Sequence, residues 1–196
     1  MTSWTEYYES VKGRLGQREK TFDQIFAYLD KQTNPIIVET GTYREQDNYT
    51  GDGCSTLLFD NYIQNNNGKL ISIDIDPIAC QLARNNTSSS TEIIQSDSVE
   101  YLSVLSGFVS LLYLDSFNIT DWANDWEPAA HHLKELFAAK DIIQPGTLIV
   151  VDDNIIHNGK RMGKGRLIYE LMDAIGINPL FDEYQVGWVW TGFDDE

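Results

Sequence analysis

The chain has 196 residues, with 30 acidic against 14 Lys and Arg side chains, a net charge of −16, and 42% hydrophobic residues. Such a length suits one domain with a real core. The acidity argues against nucleic-acid or anionic-membrane partners, whose phosphates are met mainly by Lys and Arg.

Residues 4–31 read as helical, with Phe22, Ile25, Phe26 and Leu29 at helical spacing and Gly13 and Gly16 dividing the segment. Asn34-Pro35 stops it before a first strand at 36–39. A glycine-rich loop and a helix near 54–65 follow, then strand 70–74, a helix near 77–85 and strand 92–95. Next come a helix near 98–105, strand 109–114, a helix near 127–139, strand 147–151 and a last helix at 165–176. Residues 180–193 alternate aromatic and polar groups like a closing antiparallel hairpin. Short β-branched runs alternating with helices predict an α/β fold with a mainly parallel sheet and helices on both faces. One domain is expected over 1–196, with a helical segment at 1–34 and the sheet-bearing core at 35–196. Nothing in it approaches the ~20 apolar residues that span a bilayer, and Met1-Thr2-Ser3-Trp4-Thr5-Glu6 lacks the features of a signal peptide. Cys54 and Cys80 are too few for a disulfide framework, so a cytoplasmic location is expected.

The most informative pattern is acidic. Ile36-Ile37-Val38 ends on Glu39, Leu70-Ile71-Ser72-Ile73 on Asp74, and Leu111-Leu112-Tyr113-Leu114 on Asp115, while Leu148-Ile149-Val150-Val151 runs into Asp152-Asp153-Asn154. In open α/β sheets ligands bind beyond the carboxyl ends of the strands, so these groups are expected to share one crevice. After the first strand, Glu39-Thr40-Gly41-Thr42-Tyr43 continues to Gly51-Asp52-Gly53-Cys54-Ser55-Thr56 and opens a helix. Glycines there let a ligand approach the backbone, and a helix start adds donors; a tight strand-to-helix turn is the plainer alternative. Asp74, in Ser72-Ile73-Asp74-Ile75-Asp76-Pro77, can accept both hydroxyls of a ribose.

On these motifs, over residues 35 to 157 and more loosely beyond, the chain resembles the class I S-adenosylmethionine-dependent methyltransferases. Within them it resembles the small metal-dependent O-methyltransferases of the catechol type. That resemblance implies a Rossmann-like seven-stranded sheet with one antiparallel strand near its C-terminal end. It implies S-adenosylmethionine as cofactor, with Glu39, Gly41, Tyr43, Gly53 and Ser55 in the first motif and Asp74 on the ribose. Asp97 and Ser98 fall where the family contacts adenine, and Asp115, Ser116 and Phe117 flank the cofactor beyond the fourth strand. It further implies that Asp115, Asp153 and Asn154 bind a divalent cation such as Mg²⁺, a chemistry that hard oxygen ligands suit. Asp153 and Asn154 capping a turn is the alternative. Asp152 is a rival for Asp153, because neighbours on a strand point opposite ways.

Two departures from the family stand out. An insertion, Arg44 to Gly51, splits the first motif and either roofs the acceptor pocket or is a tolerated surface loop. Asn118 stands where the catechol-type enzymes carry a catalytic lysine, so the base must come from elsewhere. Asp115, His157, Lys160 and Lys164 are the candidates for catalysis, the last three in a basic stretch, 157–166, that reads as a flexible loop. That loop either closes on an acceptor bearing an anionic group or is simply solvated. His131 and His132, Trp122 and Trp126, and Trp188 and Trp190 read as structural.

The expected function is methyl transfer to an oxygen of a small molecule that can carry an anionic group. Homodimerisation is compatible with the sequence. The rivals are a metal-free N-methyltransferase, a non-catalytic cofactor-binding protein and a dinucleotide-dependent oxidoreductase. Against the last, Glu39-Thr40-Gly41-Thr42 lacks Gly-x-Gly-x-x-Gly.

Overall fold

The β-branched runs do pair. In the computed structural model, which describes residues 3–52 and 54–192, β1 (Ile36–Thr40), β2 (Lys69–Asp74), β3 (Thr91–Gln95), β4 (Leu111–Leu114) and β5 (Leu148–Val151) lie parallel. A hairpin, β6 (Asn154–His157) with β7 (Lys160–Gly163), stands apart as its own two-stranded sheet. The closing hairpin is β8 (Phe181–Asp182) and β9 (Val186–Val189); residue 193 of its predicted span lies outside the described residues. Strand β9 runs antiparallel between β5 and β8, giving one seven-stranded sheet in the order β3-β2-β1-β4-β5-β9-β8. The expected fold class is therefore correct, down to the single antiparallel strand.

Helices cover both faces. On one side pack α1 (Trp4–Val11), α2 (Glu19–Leu29), α3 (Ser55–Asn66) and α4 (Pro77–Asn86); on the other, α5 (Ser98–Leu102), α6 (Trp126–Ala138) and α7 (Arg166–Ala174). The period-2 alternation of a strand divides the core. Tyr113 and Val150 face the first layer with Phe22 and Phe59, whereas Leu112, Leu114 and Val151 face the second with Ile168 and Met172. Two short 3-10 turns separate α1 from α2, at the expected break beside Gly13 and Gly16. Trp188 and Trp190 are core, as expected, but Trp126 is exposed, beside the Arg166 guanidinium. No helix among the described residues is long and apolar enough to cross a membrane. Cys54 and Cys80 are free and buried.

Candidate functional site

Register builds the crevice. Thr40 pairs with Ile73 on one side and Leu114 on the other, so the next residues, Gly41, Asp74 and Asp115, stand level where the strand order reverses between β1 and β4. Gly41 has φ +81°, and a Cβ on it would sit 2.7 Å from the Asp115 carbonyl oxygen, so no larger residue fits. Above lies a cavity of about 490 Å³, a size that suits a nucleotide-bearing ligand. Cys54 and Phe117 on its walls, and Asp153 behind it, hold left-handed backbones. Such strained non-glycine residues cost on the order of 1–3 kcal/mol each and gather at functional sites.

Nine of the residues expected to meet a cofactor line this one cavity: Gly41, Tyr43, Ser55, Asp74, Asp97, Ser98, Asp115, Ser116 and Phe117. Gly53 lies outside the described residues. Glu39 is not on the wall but beneath it, fully buried, accepting from Thr56 at 2.7 Å, Ser72 at 2.6 Å and Ser55 at 2.5 Å. Burial pushes its carboxyl up to about 7 against those three hydroxyl donors. Asp74 accepts the backbone N–H of Thr42 at 3.0 Å and that of Asp76 at 2.8 Å, while Asp97 caps α5 through the Glu100 N–H. Both carboxylates thus shape the loops they stand on, with lone pairs to spare.

Sequence reasoning missed the group under the opposite wall. Glu135 of α6 is fully buried and accepts from Ser98 at 2.5 Å, Ser116 at 2.6 Å and Thr40 at 3.2 Å, with His131 Nε2 at 3.3 Å. Burial pushes its carboxyl up, but His132 and the donors His131, Ser116 and Ser98 outweigh that and hold it near 2. His131, read as structural, lines the cavity beside the Phe117 ring. Neighbouring His132 is buried, pairs through Nδ1 with the Pro128 carbonyl at 2.7 Å, and is pushed down to about 4 by burial.

The carboxylates at the ends of β4 and β5 have protein cations as partners. Lys164 Nζ lies 2.6 Å from Asp115 Oδ1 and 2.8 Å from Asp153 Oδ2, with its side chain 2% exposed. Arg18, in the turn before α2, reaches Asp152 through Nε at 2.7 Å and Asp153 through Nη2 at 3.0 Å. Asp152 turns away from the crevice to Tyr113, at 2.6 Å, and Gln185, so of the two aspartates Asp153 is the one that faces Asp115's partner. Burial pushes Lys164 down, but Asp115 and Asp153 outweigh it and hold the ammonium charged. Burial pushes Asp115 up, with Lys164 opposing and Asp152 and Asp153 adding; Asp153 is held low by Lys164 and Arg18 despite its burial.

These residues do not fit the divalent cation expected of them. The Asn154 amide is committed: Nδ2 donates to the carbonyls of Val151 at 2.9 Å and Asp152 at 3.0 Å, and Oδ1 accepts from Gly165 N–H at 2.9 Å. No cluster of three His, Cys, Asp or Glu suited to a metal occurs among the described residues. Stretch 157–166 also needs correcting, because it is a hairpin rather than a flexible loop, pinned where Gly163 N–H donates to the buried Asp125 at 2.7 Å. His157 and Lys160 are exposed at its turn and do not line the crevice; Lys160 borders a separate cavity with Arg161 and Tyr169.

The Arg44–Gly51 insertion is not a free surface loop. Thr50 donates to the Arg14 carbonyl at 2.8 Å, Arg18 donates to the Thr50 carbonyl at 3.0 Å, and Tyr49 is buried beneath the Arg14 guanidinium. Its first residue lines the crevice: Arg44 donates to Asn118 Oδ1 at 2.6 Å and pairs with Asp52.

No protein-family model matches the chain, and no curated protein does. Solved structures do. The SAH-bound methyltransferase PaMTH1 of Podospora anserina superposes with TM-score 0.59 at 14% identity, over 96% of this chain and 88% of that one. The mycinamycin-pathway methyltransferase MycE, solved with Mg, SAH and mycinamycin VI, gives TM-score 0.61 at 19% identity, over 91% of this chain and 50% of its own. The calicheamicin methyltransferase CalS11 gives 0.58 at 11% identity, over 96% and 86%. Identities this low carry architecture alone, and with the observed strand order they establish that the chain has the fold of the class I S-adenosylmethionine-dependent methyltransferases.

Proposed function

We propose that the chain transfers the methyl group of S-adenosylmethionine to an oxygen of a small-molecule acceptor. One observation carries this reading: a single crevice at the strand-order reversal is lined at once by Gly41, Asp74, Asp97, Ser98 and Ser116. Asp74, with two of its lone-pair positions already on backbone N–H groups, keeps the others for ribose hydroxyls. Asp97 and Ser98 offer polar groups, and the half-exposed Phe117 a flat apolar face, for adenine. The cofactor, when bound, supplies an electrophilic methyl on a sulfonium, so the acceptor oxygen needs alignment and loss of its proton. Asn118 cannot take that proton, and its Oδ1 is engaged by Arg44. An acidic acceptor, a phenol or an enol, therefore suits the site better than a simple alcohol. The Arg44 guanidinium, partly exposed on the wall, favours an acceptor with an anionic group.

A thermal-shift comparison of S-adenosylmethionine, S-adenosylhomocysteine and NAD tests this reading. At a hundredfold excess over Kd a bound ligand adds about 2.7 kcal/mol, which raises Tm by roughly 5–10 °C for a chain of this size. Stabilisation by NAD alone would overturn the assignment.

A further inference from the structure

We propose that the Lys164 ammonium, backed by the Arg18 guanidinium, stands in place of a divalent cation at the ends of β4 and β5, so that methyl transfer here needs no added metal. The proposal rests on the methyltransferase reading for the word transfer, but its charge argument is independent of it. Asp115, Asp152 and Asp153 form one buried or nearly buried acidic group. Left alone, such carboxylates repel one another in a medium far less screening than water.

An ammonium has three protons, and Lys164 has three acceptors for them: Asp115 Oδ1 at 2.6 Å, Asp153 Oδ2 at 2.8 Å and the Asp115 carbonyl at 3.2 Å. Both carboxylates on which a metal would depend are thereby bridged by one protein cation. A divalent ion on the same oxygens would face a like charge within a few ångströms.

Nor is the lysine a loose side chain settled into a gap. Its backbone is tied on both sides, by Lys164 N–H to the Asp153 carbonyl at 3.1 Å and by Gly165 N–H to Asn154 Oδ1 at 2.9 Å. Gly163 before it has φ +112°, and a Cβ there would stand 2.1 Å from the Asp153 carbonyl oxygen. The approach of β7 to the end of β5 thus depends on a glycine, and it delivers Lys164 to one place. Asn154, the third ligand a metal would have used, ties down this same turn. Lys164 does not line the crevice, so it is a positioning residue. It holds the carboxylate of Asp115, which does.

The test is metal binding read without turnover. Wild-type protein titrated with Mn²⁺ and followed by electron paramagnetic resonance should bind none stoichiometrically at submillimolar concentration, and S-adenosylhomocysteine affinity should be the same in EDTA and in Mg²⁺. Lys164→Met, which removes the charge and keeps the bulk, should expose the two carboxylates and bind Mn²⁺ at least about a hundredfold more tightly than wild type. Lys164→Arg should restore metal indifference. Stoichiometric Mn²⁺ in the wild type, lost in Asp115→Asn, overturns the proposal whether or not the methionine variant folds. So does a folded Lys164→Met variant with no gain in Mn²⁺ affinity. Failure to bind S-adenosylhomocysteine at all would instead count against the functional reading and leave the metal result standing.

Discussion

Glu135→Gln is the sharpest probe of how the crevice is held. The substitution keeps the shape of the side chain, removes its charge and turns one acceptor oxygen into an NH2 donor, in a position with no solvent access. Three hydroxyls and the His131 ring point at this carboxylate, and with the His132 ring, once that is protonated, they hold it near 2 rather than at the 4.5 of an ordinary glutamate. At neutral pH His132 is uncharged, so the hydroxyls and His131 are what favour the folded, ionised form there, by about 1.5–3 kcal/mol, the range for hydrogen bonds to a charged group. The folded value lies below the unfolded one, so this stabilisation is present above pH 4.5 and is lost as pH falls towards 2. Urea unfolding at pH 7 should show the variant about 1.5–3 kcal/mol less stable, and the gap should narrow at pH 4. Because Ser98 and Ser116 both lose a charged acceptor and both line the crevice, S-adenosylhomocysteine should also bind about tenfold more weakly, as expected for one neutral hydrogen bond disturbed. A loss below 1 kcal/mol at pH 7, or a gap unchanged at pH 4, would refute the account of Glu135 as an ionised anchor.

Asp74→Ala should weaken S-adenosylhomocysteine binding by ~1.5–3 kcal/mol, the range for hydrogen bonds to a charged group; calorimetry showing unchanged affinity in a folded variant would remove Asp74 from the ribose. His132 is held neutral by burial, near 4 against an ordinary 6.5, so stability present above pH 6.5 should fall by about 2 kcal/mol on acidification to pH 5. His132→Leu should abolish that slope in urea titrations at the two pH values. Gly41→Ala should cost more than the roughly 1–3 kcal/mol of backbone strain alone, because its Cβ would also press on the Asp115 carbonyl, and a melting curve with and without S-adenosylhomocysteine should show both a lower Tm and a lost ligand shift.

What was legible in the sequence was whatever repeats locally. Four apolar runs ending in acids announce parallel strands and a shared crevice, because both faces of a central strand are buried and its C-terminal end is where polar groups can gather. Tertiary pairings left no such mark. Arg18 and Glu135 sit in ordinary amphipathic helical contexts, and nothing adjacent to them says that a charge will point inward; their partners lie 134 and 37 residues away. Lys164 reads with its basic neighbours as part of a mobile stretch, because composition cannot separate one buried cation from several solvated ones. A usable signal was there. Gly163 and Gly165 flank the lysine, and two glycines so closely spaced favour a tight turn over a long swinging loop. The insertion was equally opaque, since its ties are all to distant residues: Tyr49 packs against Arg14, and Thr50 bonds Arg14 and Arg18.

The contact between Arg18 and Asp152 also sets a schedule. During synthesis the helical segment leaves the ribosome before the sheet it packs on, and the carboxylates that neutralise its arginine are made 134 residues later. At cellular elongation rates that wait is on the order of ten seconds. An eleven-residue helix such as α2 is only marginally stable alone in water, so its apolar face, Phe22, Ile25, Phe26 and Leu29, stays uncovered until Phe59 and Tyr62 of α3 and the strands behind them are made. Packing can therefore begin on α3 well before the charge of Arg18 is neutralised, so the burial of α2 is completed in two stages, apolar first and ionic last.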